Sequence, residues 1–293
     1  MYRFDFRAMA SPCSIQIDPI DGQDEATVRH AAQQAIAEVQ RIENKYSRYR
    51  SDSITYLINK AAGQYPVSVD EETAGLLAFA HNLWELSDGL FDITSGVLRK
   101  AWDFRAQRLP EQGVLDVLLP LVGWGKVERT AETIYLPQSG MELDLGGFGK
   151  EYAADRAMMV LHSLGFRQGL VNLGGDLHAL GERHWDIAIQ HPRKNDAPLA
   201  VLSLQQGGLA TSGDYERFFI HQGKRYCHVL NPFTGWPVAH WQSVTVLAVN
   251  ATSAGALSTI AMLKEEKATA WLQAQGVRFL AVQQNGAMVR DRN

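Results

Sequence analysis

An α+β fold is predicted for this 293-residue chain from three features of its sequence. Apolar residues recur at three- and four-residue spacing over 24–46, as on one face of a helix. Short alternating or β-branched runs bounded by Gly, Asn and Asp appear at both ends and through 169–249. These strands and helices are interspersed without the regular alternation of a doubly wound sheet, which favours antiparallel strands with flanking helices. No repeat, linker or low-complexity tract divides the chain. The expectation is one region over 1–293, or two intimately packed α+β lobes within it.

Taken in order, residues 2–18 alternate as a strand or hairpin, and Asp18-Pro19-Ile20-Asp21-Gly22 ends them in turn chemistry. The helix over 24–46 rests on Val28, Ala32, Ala35, Ile36, Val39 and Ile42. Ser68-Val69-Asp70-Glu71 reads as a capping box opening a second helix through Leu76, Leu77, Ala80, Leu83 and Trp84. A short strand from 141 runs into the turn Gly146-Gly147-Phe148-Gly149, and 152–164 leaves it as a helix. Residues 169–176 form a strand ending in a glycine pair; 185–189 and 199–204 are further strands. The runs 218–220 and 226–230 flank a hairpin turn at His221-Gln222-Gly223-Lys224. A strand over 243–249 leads to a helix starting at Thr252 or Ser253, then a helical stretch over 265–273. The runs 277–282 and 287–289 close the chain as a hairpin about Asn285-Gly286.

Lys and Arg total 28 against 32 Asp and Glu, a net charge of −4 that leaves no basic footprint for nucleic acid. No apolar run approaches the length of a membrane-spanning helix. Asp5 and Arg7 stand where the apolar segment of an export leader belongs. The sequence as it stands therefore predicts a cytoplasmic protein, periplasmic only if a leader was removed or replaced. Two cysteines, Cys13 and Cys227, exclude a disulfide scaffold and leave one bridge or two buried thiols open.

Several segments can carry chemistry. Gly146-Gly147-Phe148-Gly149-Lys150 puts flexible backbone and a lysine at a turn into a helix, where N–H groups and charge can hold a phosphate. The same stretch suits a plain tight turn, and it matches neither G-x-G-x-x-G nor the P-loop pattern. Asn172-Leu173-Gly174-Gly175-Asp176 offers an Asx turn or a close approach of backbone to ligand. Thr211 to Arg217 gathers hydroxyls, carboxylates and an arginine around Gly213, for a polar cofactor or a polar turn. His228, followed by Asn231-Pro232-Phe233-Thr234-Gly235, is a rim residue or an acid–base group. The absence of C-x-x-C, H-E-x-x-H and EF-hand spacing argues against structural zinc. Mg²⁺, which needs one or two carboxylates together with phosphates, stays open. No G-x-S-x-G elbow is present.

Together and in this order, these segments resemble the ApbE-type FAD:protein FMN transferases over nearly the whole chain. Met9-Ala10-Ser11 is similar to that family's M-G-T, and Ser47 and Tyr49, with Ser53 and Asn59, to its S-x-Y block. Phe91-Asp92-Ile93-Thr94 matches F-D-x-T. Asp144 to Lys150, then Tyr152 and Asp155, resembles D-L-G-G-I-A-K-G-Y-x-x-D. The Asn172, Thr211 and His228 segments follow in family order.

The resemblance implies FAD bound in an elongated cleft, Mg²⁺ at its diphosphate, and transfer of the FMN half to a Ser or Thr hydroxyl of a target protein, releasing AMP. Some relatives instead hydrolyse FAD. The implied partner is a flavin-acceptor protein, such as a subunit of a respiratory or electron-transfer complex. By carry-over, His228, Lys150 and Asp214 are the catalytic candidates. FAD contacts fall to Met9, Tyr49, Asp92, Gly146, Gly147, Lys150, Asn172, Gly174, Gly175, Asp176, Thr211, Ser212, Gly213 and His228. The metal ligands are the Gly149 carbonyl and Thr259.

One departure bears on the metal. Where the family reads A-D-A-L-x-T-A, this chain has Ala254-Gly255-Ala256-Leu257-Ser258-Thr259-Ile260, so Gly255 replaces the metal-binding Asp. Ala10 replaces the M-G-T glycine, and Glu151 replaces the glycine after the lysine. Another carboxylate (Glu151, Asp144 or Asp155) approaches the ion, or phosphates and water hold it with Thr259 and Gly149, or the chain binds flavin without transferring it.

Overall fold

A computed structural model describes residues 1–19, 23–194 and 197–291. The chain opens on the expected hairpin, β1 (Tyr2–Ala8) antiparallel to β2 (Ser11–Ile17). Met9 and Ala10 make its two-residue turn with φ of 51° and 60°, the left-handed geometry that a tight hairpin turn demands. Of the predicted turn at 18–22, Ile20, Asp21 and Gly22 lie outside the described residues. Helix α1 (Glu25–Tyr46) begins where Asp24 accepts the Thr27 N–H, and it buries Val28, Ala32, Ala35, Val39 and Ile42 as one stripe. Next come α2 (Ile54–Lys60), capped by Ser53, then β3 (Val67–Ser68) and α3 (Glu71–Leu86). The predicted capping box is displaced. Asp70 caps α3 by accepting the Thr73 N–H and hydroxyl, while Ser68 is taken up in strand pairing with Thr133.

A 3₁₀ run over Ile93–Lys100 and helix α4 (Gln112–Leu118) precede β4 (Glu128–Arg129) and β5 (Thr133–Tyr135), which pair in the order β3–β5–β4. The strand expected from 141 is not formed. The Leu143 N–H goes to Asn59 Oδ1 and the Asp144 N–H to the Ile93 carbonyl, so these donors are spent outside any ladder. Helix α5 (Gly149–Ser163) starts at Gly149, not at Tyr152. The hairpin β6 (Gly169–Leu173) and β7 (Asp176–Leu180) turns at Gly174 and Gly175, whose φ of 61° and 99° suit glycine.

Strands β8 (Trp185–Gln190) and β9 (Pro198–Leu204) pair with each other, and β10 (Gly207–Gly213) rejoins the main sheet. The hairpin β11 (Phe218–His221) and β12 (Lys224–Cys227) ends at Cys227, so His228 lies just past the strand. Then come β13 (Trp241–Ala248), α6 (Ala251–Lys264), α7 (Ala268–Ala274), β14 (Arg278–Gln283) and β15 (Met288–Arg290).

The main sheet is eight-stranded and antiparallel, in the order β1-β2-β6-β7-β10-β13-β14-β15. Side chains alternate across it. Val171 and Leu173 join the main core shared with helices α1, α5 and α6. Leu170, Leu177 and Leu209 join a smaller cluster with Trp185 and Leu204 of β8 and β9. Helix α1 packs on α5, and α6 on α5, β10 and β13. Cys13 and Cys227 are free, buried thiols. Among the described residues no helix is long and apolar enough to cross a membrane.

Asp155 of α5 ties this layer together. Its buried carboxylate accepts the Ala251 N–H at 2.8 Å, the Thr252 N–H at 2.9 Å and the Thr252 hydroxyl, and it also pairs with His178 of β7. The negative charge sits at the N-terminus of α6, where orphan N–H groups and the helix dipole favour it. Asp155→Ala strands those donors and is expected to cost about 3 kcal/mol of unfolding free energy. Asp155→Asn keeps an acceptor and should lose less; urea denaturation midpoints compare the two.

Candidate functional site

The segment before α5 is held from several sides. Arg48 pairs with one Asp144 oxygen, and the other accepts the Gly146 N–H at 2.9 Å. Gly146 and Gly147 thereby lead into α5 at a set angle, Gly149 becomes its first residue, and Lys150 lies in its first turn. Tyr49 is 75% exposed beside this turn. Arg48 lies over its ring and donates to its hydroxyl at 2.8 Å.

Two hairpin tips converge on Lys150. At the β1–β2 tip, the Met9 N–H donates to Glu43 at 2.8 Å. At the β6–β7 tip, a Cβ on Gly174 would stand 2.7 Å from Ser11 Cβ and 3.6 Å from Lys150 Nζ. The Gly175 N–H is held by Asn172 Oδ1 at 2.9 Å. Lys150 Nζ pairs with Asp176 at 2.5 Å.

Below the lysine lies a floor of buried polar groups. Asp176 is buried at the start of β7 and also accepts the Thr211 N–H. Glu151 is buried against Asp176. From β10, the Ser212 hydroxyl meets those of Ser258 at 2.8 Å and Thr259 at 3.0 Å on α6, and Thr211 meets Thr245 at 2.8 Å. Burial, and then the charge of Asp176, push the Glu151 carboxyl well above the usual carboxylate range. Burial also raises Asp176, against the pull of Lys150. Burial alone would lower Lys150, but the charges of Asp176 and Glu151 outweigh it and hold the ammonium above its ordinary value.

A second group lies toward β11 and β12. Asp214 is 2% exposed and takes a two-pronged bond from Arg193, at 2.6 and 2.7 Å, with Gln284 donating at 3.2 Å. Next to Gly213, Tyr215 has its phenol pushed up to about 12 by burial and the charges of Glu216, Asp176 and Asp214. The His228 N–H donates to the Arg217 carbonyl; the residue keeps part of its surface exposed while protein crowds it on its other sides. Crowding by protein and then the Arg217 charge disfavour the imidazolium, lowering its pKa to about 4.

Asp92 stands apart as a tie. Its carboxylate accepts the Thr94 N–H at 2.7 Å and the Trp124 N–H at 2.8 Å. It lines a recess of about 650 Å³ with Trp84, Gly89, Gly123, Pro232 and Phe233, so the segments around Asp92 and Pro232 meet there.

The structure thus gathers Lys150, Asp176, Gly174, Thr211, Ser212 and Thr259, while Asp214 and Asp92 are each engaged by neighbours. Neither Arg193 nor Arg48 was expected at the site from the sequence, and Ser11 was expected only as part of the Met9-Ala10-Ser11 motif. Arg193 follows β8 in a loop with no local signature, and only the fold sets it on Asp214. The pairing of β2 with β6 likewise decides that Ser11 abuts Gly174.

Comparison with known proteins agrees in sequence and in fold. The family model of the ApbE family matches residues 9–281. A FAD:protein FMN transferase of Treponema pallidum (strain Nichols) is 33% identical over 273 residues, covering 85% of this chain and 75% of its own. One from Klebsiella pneumoniae (strain 342) is 33% identical over 228 residues, covering 76% and 72%. The crystal structure of the ApbE protein of Thermotoga maritima MSB8 matches with a TM-score of 0.89 at 31% identity, covering 99% of this chain and 97% of that one.

Lys150→Met leaves Asp176 and Glu151 buried without their cation. At pH 7 the variant should lose about 3 kcal/mol of stability. Because those carboxyls have raised pKa values in the fold, the destabilisation belongs to their charged forms. The deficit should therefore narrow as the pH falls toward about 4. Denaturation curves at both pH values test this.

Proposed function

Because the chain belongs to the ApbE family, we propose that it transfers the FMN half of FAD to a Ser or Thr hydroxyl of a target flavoprotein, releasing AMP, with Mg²⁺ as cofactor. The observation that carries this reading is Lys150 in the first turn of α5, between two hairpin tips and above a buried polar floor. A helix N-terminus carrying a lysine suits a diphosphate. In this reading Met9, Tyr49 and the Asn172–Asp176 tip border the cofactor.

In the reaction, the acceptor hydroxyl oxygen bonds to the phosphorus of the FMN half. The bond from that phosphorus to the AMP oxygen breaks, and the hydroxyl proton must leave. Lys150 stabilises negative charge on the diphosphate as it develops. His228 is neutral at pH 7, partly exposed and able to accept the proton at its ring nitrogen. Asp214 acts through Arg193, which it holds in place.

The residues present fit a magnesium ion. Among the described residues no group of three or more His, Cys, Asp or Glu side chains is arranged to hold a metal, so an all-protein cage is absent. An ion bound mainly by substrate phosphates needs only a few protein oxygens. The Thr259 hydroxyl and the Gly149 carbonyl would hold it, and an oxygen of buried Glu151 has no hydrogen-bond partner nearby. When bound, such an ion neutralises phosphate charge and polarises the reacting phosphorus.

The test is an FAD turnover assay with and without Mg²⁺, with AMP read by chromatography and the acceptor by intact mass. AMP together with an acceptor heavier by one FMN is the expected result. AMP with free FMN would make the protein an FAD hydrolase, and bound but unconsumed FAD would make it a flavin-binding paralogue. His228→Ala should slow turnover by about 10²-fold or more. A histidine acting as base loses activity as it protonates. The acid limb of kcat/KM in the wild type should therefore fall near about pH 4 rather than near the ordinary histidine value.

A further inference from the structure

Gly255 sits inside α6, where glycine is disfavoured, among Ala251, Ala254 and Ala256. Its place is explained by what lies opposite. A Cβ built on Gly255 would overlap the Glu151 side chain, standing 2.6 Å from Cγ and 2.7 Å from Cδ. The space a side chain at 255 would occupy is already filled by a carboxylate from α5. The two departures from the family motif, at 151 and at 255, therefore meet in space.

The carboxylates of this neighbourhood differ in what they have left to give. Asp155 is committed to Ala251, Thr252 and His178. Asp144 is committed to Arg48 and the Gly146 N–H. Asp176 is committed to Lys150 and the Thr211 N–H. Glu151 is 8% exposed and shares a carboxyl–carboxyl hydrogen bond with Asp176, but its Oε2 has no hydrogen-bond partner. A buried carboxylate oxygen left this way is costly unless something absent from the free protein completes it.

Two more oxygens sit on the same helical turns. Thr259 is one helical turn beyond Gly255, on the same face of α6, and Gly149 precedes Glu151 in the first turn of α5. The donor set is all oxygen, with a single carboxylate. That is the chemistry of a hard divalent cation that completes its shell with phosphate and water.

We infer that Glu151 supplies, from α5, the carboxylate by which this chain binds its divalent cation, and that Gly255 is the space kept open for it. The inference rests on the proposed FAD site and deepens it. Glu151 is the ligand in place of a side chain on α6, so the exchange conserves the carboxylate while moving its backbone origin.

The test reads cation binding rather than turnover. Mn²⁺ serves as the probe, titrated into the FAD-bound protein and followed by electron paramagnetic resonance, with FAD binding followed separately by flavin fluorescence. Glu151→Gln, nearly isosteric, should weaken Mn²⁺ binding on the order of 100-fold while FAD alone still binds. Gly255→Asp alone should lower Tm, because the new side chain collides with Glu151. The double variant E151G/G255D should recover both Tm and Mn²⁺ binding to within about tenfold of wild type. Wild-type Mn²⁺ affinity in E151Q, or a double variant that folds but does not regain the cation, overturns the inference. A wild type that binds FAD and no Mn²⁺ overturns it as well, whereas a wild type that binds no FAD overturns the functional reading instead.

Discussion

A carboxylate taken out of water must find a cation or hydrogen-bond donors, and the seam where α5 meets α6 and β7 holds three of them. Asp155 is satisfied by the first N–H groups of α6 and by His178. Asp176 is satisfied by Lys150 and the Thr211 N–H. Glu151 is only partly satisfied. The first two fix how the helical layer sits on the sheet. The third lies beside Lys150, where the proposed diphosphate and its cation would supply what is lacking. Stability and the proposed ligand binding thus draw on one line of buried charge, and the residue left short is the one next to Lys150.

The same economy appears in the other candidate groups. Asp92 caps a 3₁₀ run, accepts the Trp124 N–H and itself lines the recess shared with Phe233. Asp214 fixes the fork of Arg193 rather than standing free. Such acids set the positions of donors and cations that can face a ligand. His228, by contrast, lies past the end of β12 and keeps part of its surface exposed, as the proposed acid–base role requires. Backbone strain lies near Lys150 too. Met9 and Ala10 hold left-handed conformations without being glycine, at the tip beside Ser11 and Gly174, and such conformations persist only where the surrounding structure enforces them.

Much of this was legible in the residues. The stripe from Val28 to Ile42 became α1, the turn signals at His221–Lys224 and Asn285–Gly286 became hairpins, and the interspersed strands became an antiparallel sheet. These features depend on residues within a few positions of one another, so local periodicity and turn chemistry report them. Expectations shifted where a distant partner intervened. Ser68 lost its capping role to Asp70 because Thr133 paired with its backbone. The segment from 141 did not become a strand because Asn59 and Ile93 took its polar groups.

The order of motifs along the chain was enough to establish the family resemblance, and that a glycine stands at 255, where the resembled motif has a carboxylate, was plain from the sequence. Which acid stood near that gap was not. Glu151, Asp144 and Asp155 were equal candidates while only their types and positions were known. The tertiary structure separates them through hydrogen bonds made across elements far apart in the chain, which leave Asp155 and Asp144 committed and set Glu151 against Gly255. Residue types and their local spacing prescribe helices, turns and the inventory of charged groups. Only packing decides which donors each buried charge meets, because that depends on distances that no local spacing encodes.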